Sequence, residues 1–329
     1  MFSAPPYTGP KSDHFDGERF HNLNPARHAQ SVESFIRFLF FRRSGHWRDW
    51  TELTPQPPPP PRVTGTRLRA TFINHATVLV QTEELNLLTD PVWAERVSPV
   101  SWAGPRRHRP PGLRLEDLPP IDAVLVSHNH YDHLDLETLK FLARRHAPPI
   151  IVPLGNRALL EANDIGGSTE LDWWEETPLA RGARVTAVPA QHFSGRGTQD
   201  RDRTLWCGFV IETRAGTVYF AGDTGFGSHF HLIAGRFPKI RLALLPIGAY
   251  QPRWFMSAVH ISPEEAVHAH EILNAHTSMG VHFGTFALSD DAEDEPVVDL
   301  ERALRRAKIP RSKFFVLEHG EGRDIPPLD

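Results

Sequence analysis

Residues 127–135 read Ser-His-Asn-His-Tyr-Asp-His-Leu-Asp, and no other stretch of this 329-residue chain limits its fold as strongly. Four side chains of metal-binding type, His128, His130, Asp132 and His133, fall within six positions. They follow a continuous apolar run at 121–126, which predicts a buried strand, and precede a helical pattern at 137–146. The loop therefore leaves the carboxyl end of a strand, where open α/β sheets place their sites. An extended loop throws His128 and His130 to one side, and a turn at Tyr131 aims Asp132 and His133 at a neighbouring point. One short peptide can in this way serve two metal ions that lie close together. The chain's 19 histidines point the same way, because imidazole is a preferred ligand of borderline metals. The competing reading is a histidine-rich surface loop, and four ligands in this order weigh against it.

The remainder of the chain supplies a layered α/β domain. Short β-prone runs are expected at 68–73, 78–82, 85–89, 150–152, 184–188, 206–212, 217–221, 242–246, 279–282 and 314–317. Helices are expected at 263–274, opened by Ser262 as cap and Pro263 at the first position, and at 299–308. Many strands with interspersed helices argue an α/β sandwich. Ahead of this domain, 1–30 reads as an irregular polar arm, 31–43 as a Phe- and Arg-rich helix, and 55–61 as a polyproline connector with six prolines in seven residues. The expected division is an extension over 1–61 and a hydrolase domain over 62–329. The 31–43 helix suits a membrane interface or a packed amphipathic surface.

A metal site needs more ligands than one loop provides, since catalytic zinc usually takes three protein ligands. His192, Asp223 and His282 each stand just beyond a predicted strand, in Gln-His-Phe, Ala-Gly-Asp-Thr-Gly and Val-His-Phe-Gly-Thr. The whole pattern, His-x-His-x-Asp-His and then a separate His, Asp and His, resembles the metallo-β-lactamase superfamily. That resemblance implies a four-layer αββα sandwich with a binuclear site along one edge. It also implies one metal on His128, His130 and His192, a second on Asp132, His133 and His282, and Asp223 bridging them.

A narrower similarity covers residues 67 to 322, which look like the N-acyl-phosphatidylethanolamine-hydrolysing phospholipase D group. It is carried by long strings such as His75-Ala76-Thr77, Thr89-Asp90-Pro91, Gly104-Pro105-Arg106-Arg107, Leu171-Asp172-Trp173-Trp174, Pro246-Ile247-Gly248-Ala249-Tyr250, Pro252-Arg253-Trp254-Phe255-Met256 and His319-Gly320-Glu321. The first 60 residues match poorly. The similarity implies two Zn²⁺ per chain, although the same donors accept Fe or Mn, a phospholipid or other phosphodiester substrate, and a homodimer. A metal-bridging hydroxide would be the nucleophile, since metal binding lowers the pKa of water from about 15.7 toward about 7. Attack at phosphorus would release an N-acylethanolamine and leave phosphatidic acid. Asp132 is expected to orient the hydroxide and carry a proton, and His260 matches a histidine that the group places near the substrate phosphate. His75 and Asp90 are expected to hydrogen-bond ligand imidazoles and fix their tautomers. Tyr250, Arg253 and Trp254 are expected substrate contacts. Trp173, Trp174, Phe255 and Met256 would add an acyl-chain cleft or bilayer-facing rim, with Arg106 and Arg107 near anionic headgroups.

Composition narrows the alternatives. A net charge of -4 offers no basic stripe for nucleic acid, which disfavours a nuclease of the same fold. The single cysteine, Cys207, forbids an intrachain disulfide and fits a reducing compartment. Residues 1–10 show neither a basic start nor an apolar core of a signal peptide, so a cytoplasmic location with peripheral membrane contact is expected. A di-iron oxygen-handling module of this fold generally has a carboxylate where this chain has His130. A soluble lactonase or sugar-phosphate hydrolase remains the alternative. On the membrane reading, removal of residues 1–60 should weaken lipid turnover and spare a small soluble phosphodiester.

Overall fold

The computed structural model describes residues 3–24, 37–38 and 40–328. The first sheet contains β1 (Leu68–Asn74), β2 (Thr77–Thr82), β3 (Leu85–Thr89), β4 (Ala123–Leu125), β5 (Ile150–Pro153), β6 (Ser168–Leu171) and, from the chain's end, β14 (Gly322–Asp324). The second contains β7 (Glu176–Pro178), β8 (Arg184–Val188), β9 (Gly208–Thr213), β10 (Gly216–Phe220), β11 (Ile240–Pro246), β12 (Thr277–Val281) and β13 (Phe314–Phe315). Their spatial orders are β14-β1-β2-β3-β4-β5-β6 and β13-β12-β11-β10-β9-β8-β7.

Strand alternation explains the layers. Successive residues point to opposite faces, so Phe72, Val80 and Leu125 face the second sheet, and Ile73, Leu79 and Val124 face outward. The inner faces meet in one core that also holds Ala187, Phe209, Val218, Leu244 and Met279. On the outer face of the first sheet, α1 (Leu136–Arg145) and α2 (Asn156–Glu161) bring Leu139, Leu142, Leu159 and Leu160. On the outer face of the second, α3 (His229–Arg236), α5 (Pro263–Ile272) and α6 (Glu295–Ala307) bring Phe230, Ile233, Ala266, Leu300 and Leu304. A short helix, α4 (Arg253–Met256), precedes α5. The αββα sandwich implied by the sequence is therefore the observed fold.

Direction matters more for the site. β3 through β6 run parallel, as do β10 through β13. β1 is antiparallel to β2 and β2 to β3, so β1 points the same way as β3. By the same reasoning β8 points the same way as β10. The carboxyl ends of β1, β3 and β4 therefore share one edge of the first sheet, and those of β8, β10 and β12 one edge of the second.

Several boundaries differ from the sequence expectation. β4 spans three residues rather than 121–126. α6 begins at Glu295, four residues before the expected start, because Pro296 lies in its first turn, where a missing N–H costs nothing. β12 stops at Val281, because His282 turns to φ 62 and leaves the strand. β6, β7 and β14 were not expected; each sits at a sheet edge and is mostly half-exposed or exposed, so no apolar alternation marks it.

The described part of the arm, residues 3–24, is irregular, yet it is not loose decoration. Phe15 and Phe20 are 2% and 1% exposed and lie in the inter-sheet core. The proline segment is also anchored: the carbonyls of Pro60 and Pro61 accept from the side-chain amides of Gln81 and Asn86. Most of the expected 31–43 helix lies outside the described residues; residues 37, 38, 40 and 41 are helical. Among the described residues no helix is long and apolar enough to cross a membrane.

Candidate metal centre

Each side chain of the site leaves the sandwich just past a strand end. His75 follows β1 by one residue, Asp90 follows β3 by one, and His128 follows β4 by three. His192 follows β8 by four, Asp223 follows β10 by three, and His282 follows β12 by one. Three of these residues, His75, Asp90 and His282, have positive φ (47, 31 and 62), a region that costs an L-residue about 1–2 kcal/mol. The packed strand ends on either side hold that conformation in place. The expected turn after His130 is present, with Leu134 N–H donating to the His130 carbonyl at 2.8 Å. Asp135 closes the loop by capping α1, where its carboxylate accepts from the N–H groups of Glu137 and Thr138.

The loop and the three separate residues converge. His128 Nε2, His130 Nδ1 and His192 Nε2 form one set, with 2.9 Å between the first two and 3.3 Å between the last two. Asp132 Oδ2, His133 Nε2 and His282 Nε2 form the other, with the carboxylate oxygen 3.3 Å from His133 and 3.4 Å from His282. Asp223 reaches both: its Oδ1 lies 3.2 Å from His282 Nε2, and its Oδ2 lies 3.2 Å from His133 Nε2 and 3.8 Å from His192 Nε2. Neighbouring ligands on a tetrahedral ion with bonds of about 2.0–2.1 Å stand about 3.3–3.4 Å apart, so most of these edges fit metal coordination, with His128–His130 tighter at 2.9 Å and Asp223–His192 wider at 3.8 Å.

The hydrogen-bond inventory tests that fit independently. His133 Nε2, His282 Nε2, Asp223 Oδ1 and His260 Nδ1 are buried and have no hydrogen-bond partner. Buried polar atoms are rarely left so, because each costs about 1–3 kcal/mol. A cation among the first three satisfies them at once; His260 Nδ1 faces the Asp223 carboxylate from outside both donor sets.

Behind the ligands, other residues set which nitrogen faces inward. Asp90 Oδ2 accepts from His133 Nδ1 at 2.5 Å and from the Ser127 hydroxyl at 2.6 Å. That hydroxyl in turn accepts from His128 Nδ1 at 2.9 Å. His192 Nδ1 donates to the Val259 carbonyl at 2.9 Å. His128 and His192 therefore turn an unprotonated Nε2 inward, and the Asp90 bond fixes Nε2 of His133 as the atom that faces inward, although, against its burial, Asp223 and Asp132 favour its protonated form. Asp90 thus does what the sequence suggested. His75 departs from it: its Nε2 donates at 3.0 Å to the Asp132 carboxylate, not to an imidazole.

Burial and charge complete the picture. Burial, with His133 and His130 nearby, keeps His128 far below the ordinary histidine value, and burial above all brings His192 to about 3. Burial alone would raise the Asp223 carboxyl, but His133, His282 and His260 outweigh it and hold it well below the carboxylate range. His282 is pulled upward to about 9, because Asp223 and then Asp132 overcome its burial. A divalent cation would displace the protons that such imidazoles take up.

His260 stands beside the cluster, with Nδ1 3.8 Å from Asp223 Oδ2. The other expected substrate contacts are not brought to it as free groups. The Tyr250 hydroxyl donates to Asp299 at 2.7 Å, and Arg253 binds Glu265 at 2.7 Å and the His260 carbonyl at 3.0 Å. Phe255 and Met256 are buried with Phe38 and Ala249, and Trp173 is buried in the inter-sheet core. Arg107 is buried and bonds the Ala94 carbonyl, and Arg106 pairs with Glu95. Trp254 is half-exposed beneath Arg37.

Sequence reasoning missed Ser127, although it opens the motif, and Arg196. The Arg196 guanidinium lies 3.8 Å from the Tyr131 ring centre and donates to the Asn129 and Leu134 carbonyls, stapling the loop at both ends.

Comparison with known proteins follows this geometry. The model of the β-lactamase superfamily domain matches residues 85–283. The N-acyl-phosphatidylethanolamine-hydrolyzing phospholipase D 1 of Caenorhabditis elegans is 43% identical over 267 residues, covering 77% of this chain and 75% of that protein. An uncharacterised protein of Mycobacterium tuberculosis is 35% identical over 306 residues, covering 91% of this chain and 80% of that one. A metallo hydrolase of Ignicoccus hospitalis shares the fold, with a TM-score of 0.60 and 22% identity over 79% of this chain and 99% of that one. With its ligand-rich loop at the strand ends, the chain belongs to the β-lactamase superfamily of metal-dependent hydrolases, in the group that includes the N-acyl-phosphatidylethanolamine-hydrolysing phospholipases D.

Proposed function

We propose that this protein is a binuclear zinc phosphodiesterase of phospholipase D type, cleaving N-acyl-phosphatidylethanolamine-like lipids to an N-acylethanolamine and phosphatidic acid. The observation that carries the reading is Asp223, which stands between the two donor sets: its Oδ1 and Oδ2 lie 3.2 Å from His282 and His133 of one set, and its Oδ2 lies 3.8 Å from His192 of the other. His128, His130 and His192 would hold one ion, and Asp132, His133 and His282 the other, with Asp223 shared. Ions held there supply Lewis acidity toward a phosphodiester and activate water near neutral pH.

The chain's own residues supply the rest. His75 holds the Asp132 carboxylate, so that its oxygen can orient the attacking water and take its proton. Water attacks phosphorus, the bond from phosphorus to the ethanolamine oxygen breaks, and the departing alkoxide takes up that proton. His260, next to Asp223, meets the phosphate. The substrate would be drawn from a bilayer by peripheral contact. Phe40 and Phe41, 83% and 73% exposed, and Trp254 supply apolar surface, and Arg37 and Arg43 supply positive charge. We further propose a cytoplasmic location, a homodimer, and no nucleic-acid partner.

The test joins metal analysis to lipid hydrolysis. Purified protein should hold close to two ions per chain, mostly zinc, and release N-acylethanolamine from N-acyl-phosphatidylethanolamine vesicles. Chelation should abolish that activity, and zinc should restore it. Full activity without metal would sink the reading. Turnover of short soluble esters or lactones with none on vesicles would transfer the site to a soluble hydrolase.

A further inference from the structure

His192 lies four residues past β8, on a stretch that is neither strand nor helix. Its side chain is fixed by Val259, but its main chain is fixed from elsewhere. The Asn22 side chain, 170 positions away, takes both main-chain groups of His192. Asn22 Nδ2 donates to the His192 carbonyl at 2.7 Å, and His192 N–H donates to Asn22 Oδ1 at 3.0 Å.

The amide cannot face the other way. Its Oδ1 also accepts from Trp206 Nε1 at 2.9 Å, so two donors converge on the oxygen and one carbonyl meets the nitrogen. Among side chains of this size only asparagine both accepts and donates in this geometry. The pair is buried, with Asn22 4% exposed and His192 fully covered. Asn22 is in turn held by its arm. Phe15 and Phe20 sit in the inter-sheet core, Phe20 N–H donates to the Asp202 carbonyl at 2.8 Å, and Ala4 N–H donates to Asp200 at 2.7 Å.

We propose that Asn22 is a positioning residue of the metal centre: it clamps the main chain of His192 and sets how firmly that imidazole holds its ion. The proposal rests on the binuclear reading above. It makes the arm a working part of the site, although the arm contributes no ligand. A ligand whose peptide can shift gives up part of its preorganisation, and losing such an outer support typically costs about 10–100-fold in metal affinity or activity.

The experiment is chelator competition for zinc on the full-length chain, with melting temperature followed in parallel. In Asn22→Ala, one ion should bind about 10–100-fold more weakly while the other is unchanged, and excess zinc should restore most of the activity. Asn22→Asp keeps the shape and the two accepted bonds but sets a carboxylate oxygen against the His192 carbonyl, so it too should weaken the same ion and leave the other unchanged. Phe20→Leu loosens the arm without touching His192, and should lower the melting temperature while leaving both affinities within about twofold of wild type. Unchanged affinities in both Asn22 variants would overturn the clamp. So would a Phe20→Leu chain that loses the ion to the same extent as Asn22→Ala. A wild-type chain that takes up no zinc overturns the binuclear reading instead, so the two failures are distinguishable.

Discussion

The loop at 127–135 and the arm at 3–24 meet at the same centre and reach it by opposite routes. The loop brings four of the seven candidate ligands in one contiguous stretch, and its own cap, Asp135, ends it. The arm brings no ligand, yet its Asn22 holds the main chain of one. Chemistry that depends on residue type can be local; support that depends on shape is assembled from distant chain. The loop should therefore fail through loss of metal, and the arm through loss of stability and of one ligand's placement.

The largest expected effect lies with the ligands rather than the arm. Asp223→Ala removes the carboxylate that faces His133 and His282 of one donor set and His192 of the other. Its kcat/KM should fall by more than about 10³-fold, over 4 kcal/mol of barrier, with metal content reduced. On the proposed reading His260→Ala removes a group that meets only the substrate, so a smaller loss, about 10²-fold, is expected with both ions retained. Steady-state kinetics with metal analysis of both variants checks this, and equal residual rates with equal metal content would refute the role assignment.

Next in size is the arm itself. The sequence expectation was that removing the first 60 residues spares soluble substrates, and the structure revises it. Phe15 and Phe20 are core residues, and truncating a buried phenylalanine costs about 3–5 kcal/mol. Deleting residues 1–24 should therefore lower the melting temperature and reduce vesicle and soluble-phosphodiester turnover together. The selective effect should come instead from replacing Phe40, Phe41 and Trp254 with serine, which removes exposed apolar surface and leaves the core intact. Vesicle sedimentation beside soluble-substrate kinetics separates the two. A deletion chain of unchanged stability that loses only vesicle activity would restore the simpler view of the arm.

The same contrast governs what could be read in advance. His128, His130, Asp132 and His133 are legible because ligand type and spacing are local, and His192, Asp223 and His282 because each follows an apolar strand. The four layers were legible from a resemblance in motifs, and the longer strands from their residues. The edge strands β6, β7 and β14 were not, since half-exposed edges carry no alternation. Nor was Asn22: the arm has no periodicity, and its partner is 170 positions away. Tyr250 and Arg253 are expected substrate contacts from the strings that carry the resemblance, but in the fold their polar groups meet Asp299 and Glu265.

The smallest effect probes how the arm is fastened. His14 is 8% exposed and stacks on Trp173, with ring centres 4.4 Å apart. Its Nε2 lies 2.7 Å from Asp172 and its Nδ1 2.5 Å from Asp13. Burial opposes its protonation, but hydrogen bonds and charge from Asp172 and Asp13 outweigh it, and its pKa is raised above 6.5. A histidine whose folded value exceeds its unfolded one adds stability that is fully present below the unfolded value and disappears as pH rises through the folded one. Asp13 is 89% exposed, so solvent screening keeps the contribution to about 1 kcal/mol or less. The difference in melting temperature between wild type and His14→Gln should therefore be greatest near about pH 6 and shrink toward about pH 9. Thermal denaturation across that range checks it. A difference that grows with pH would mean that His14 is held neutral and that the arm is fastened by packing alone.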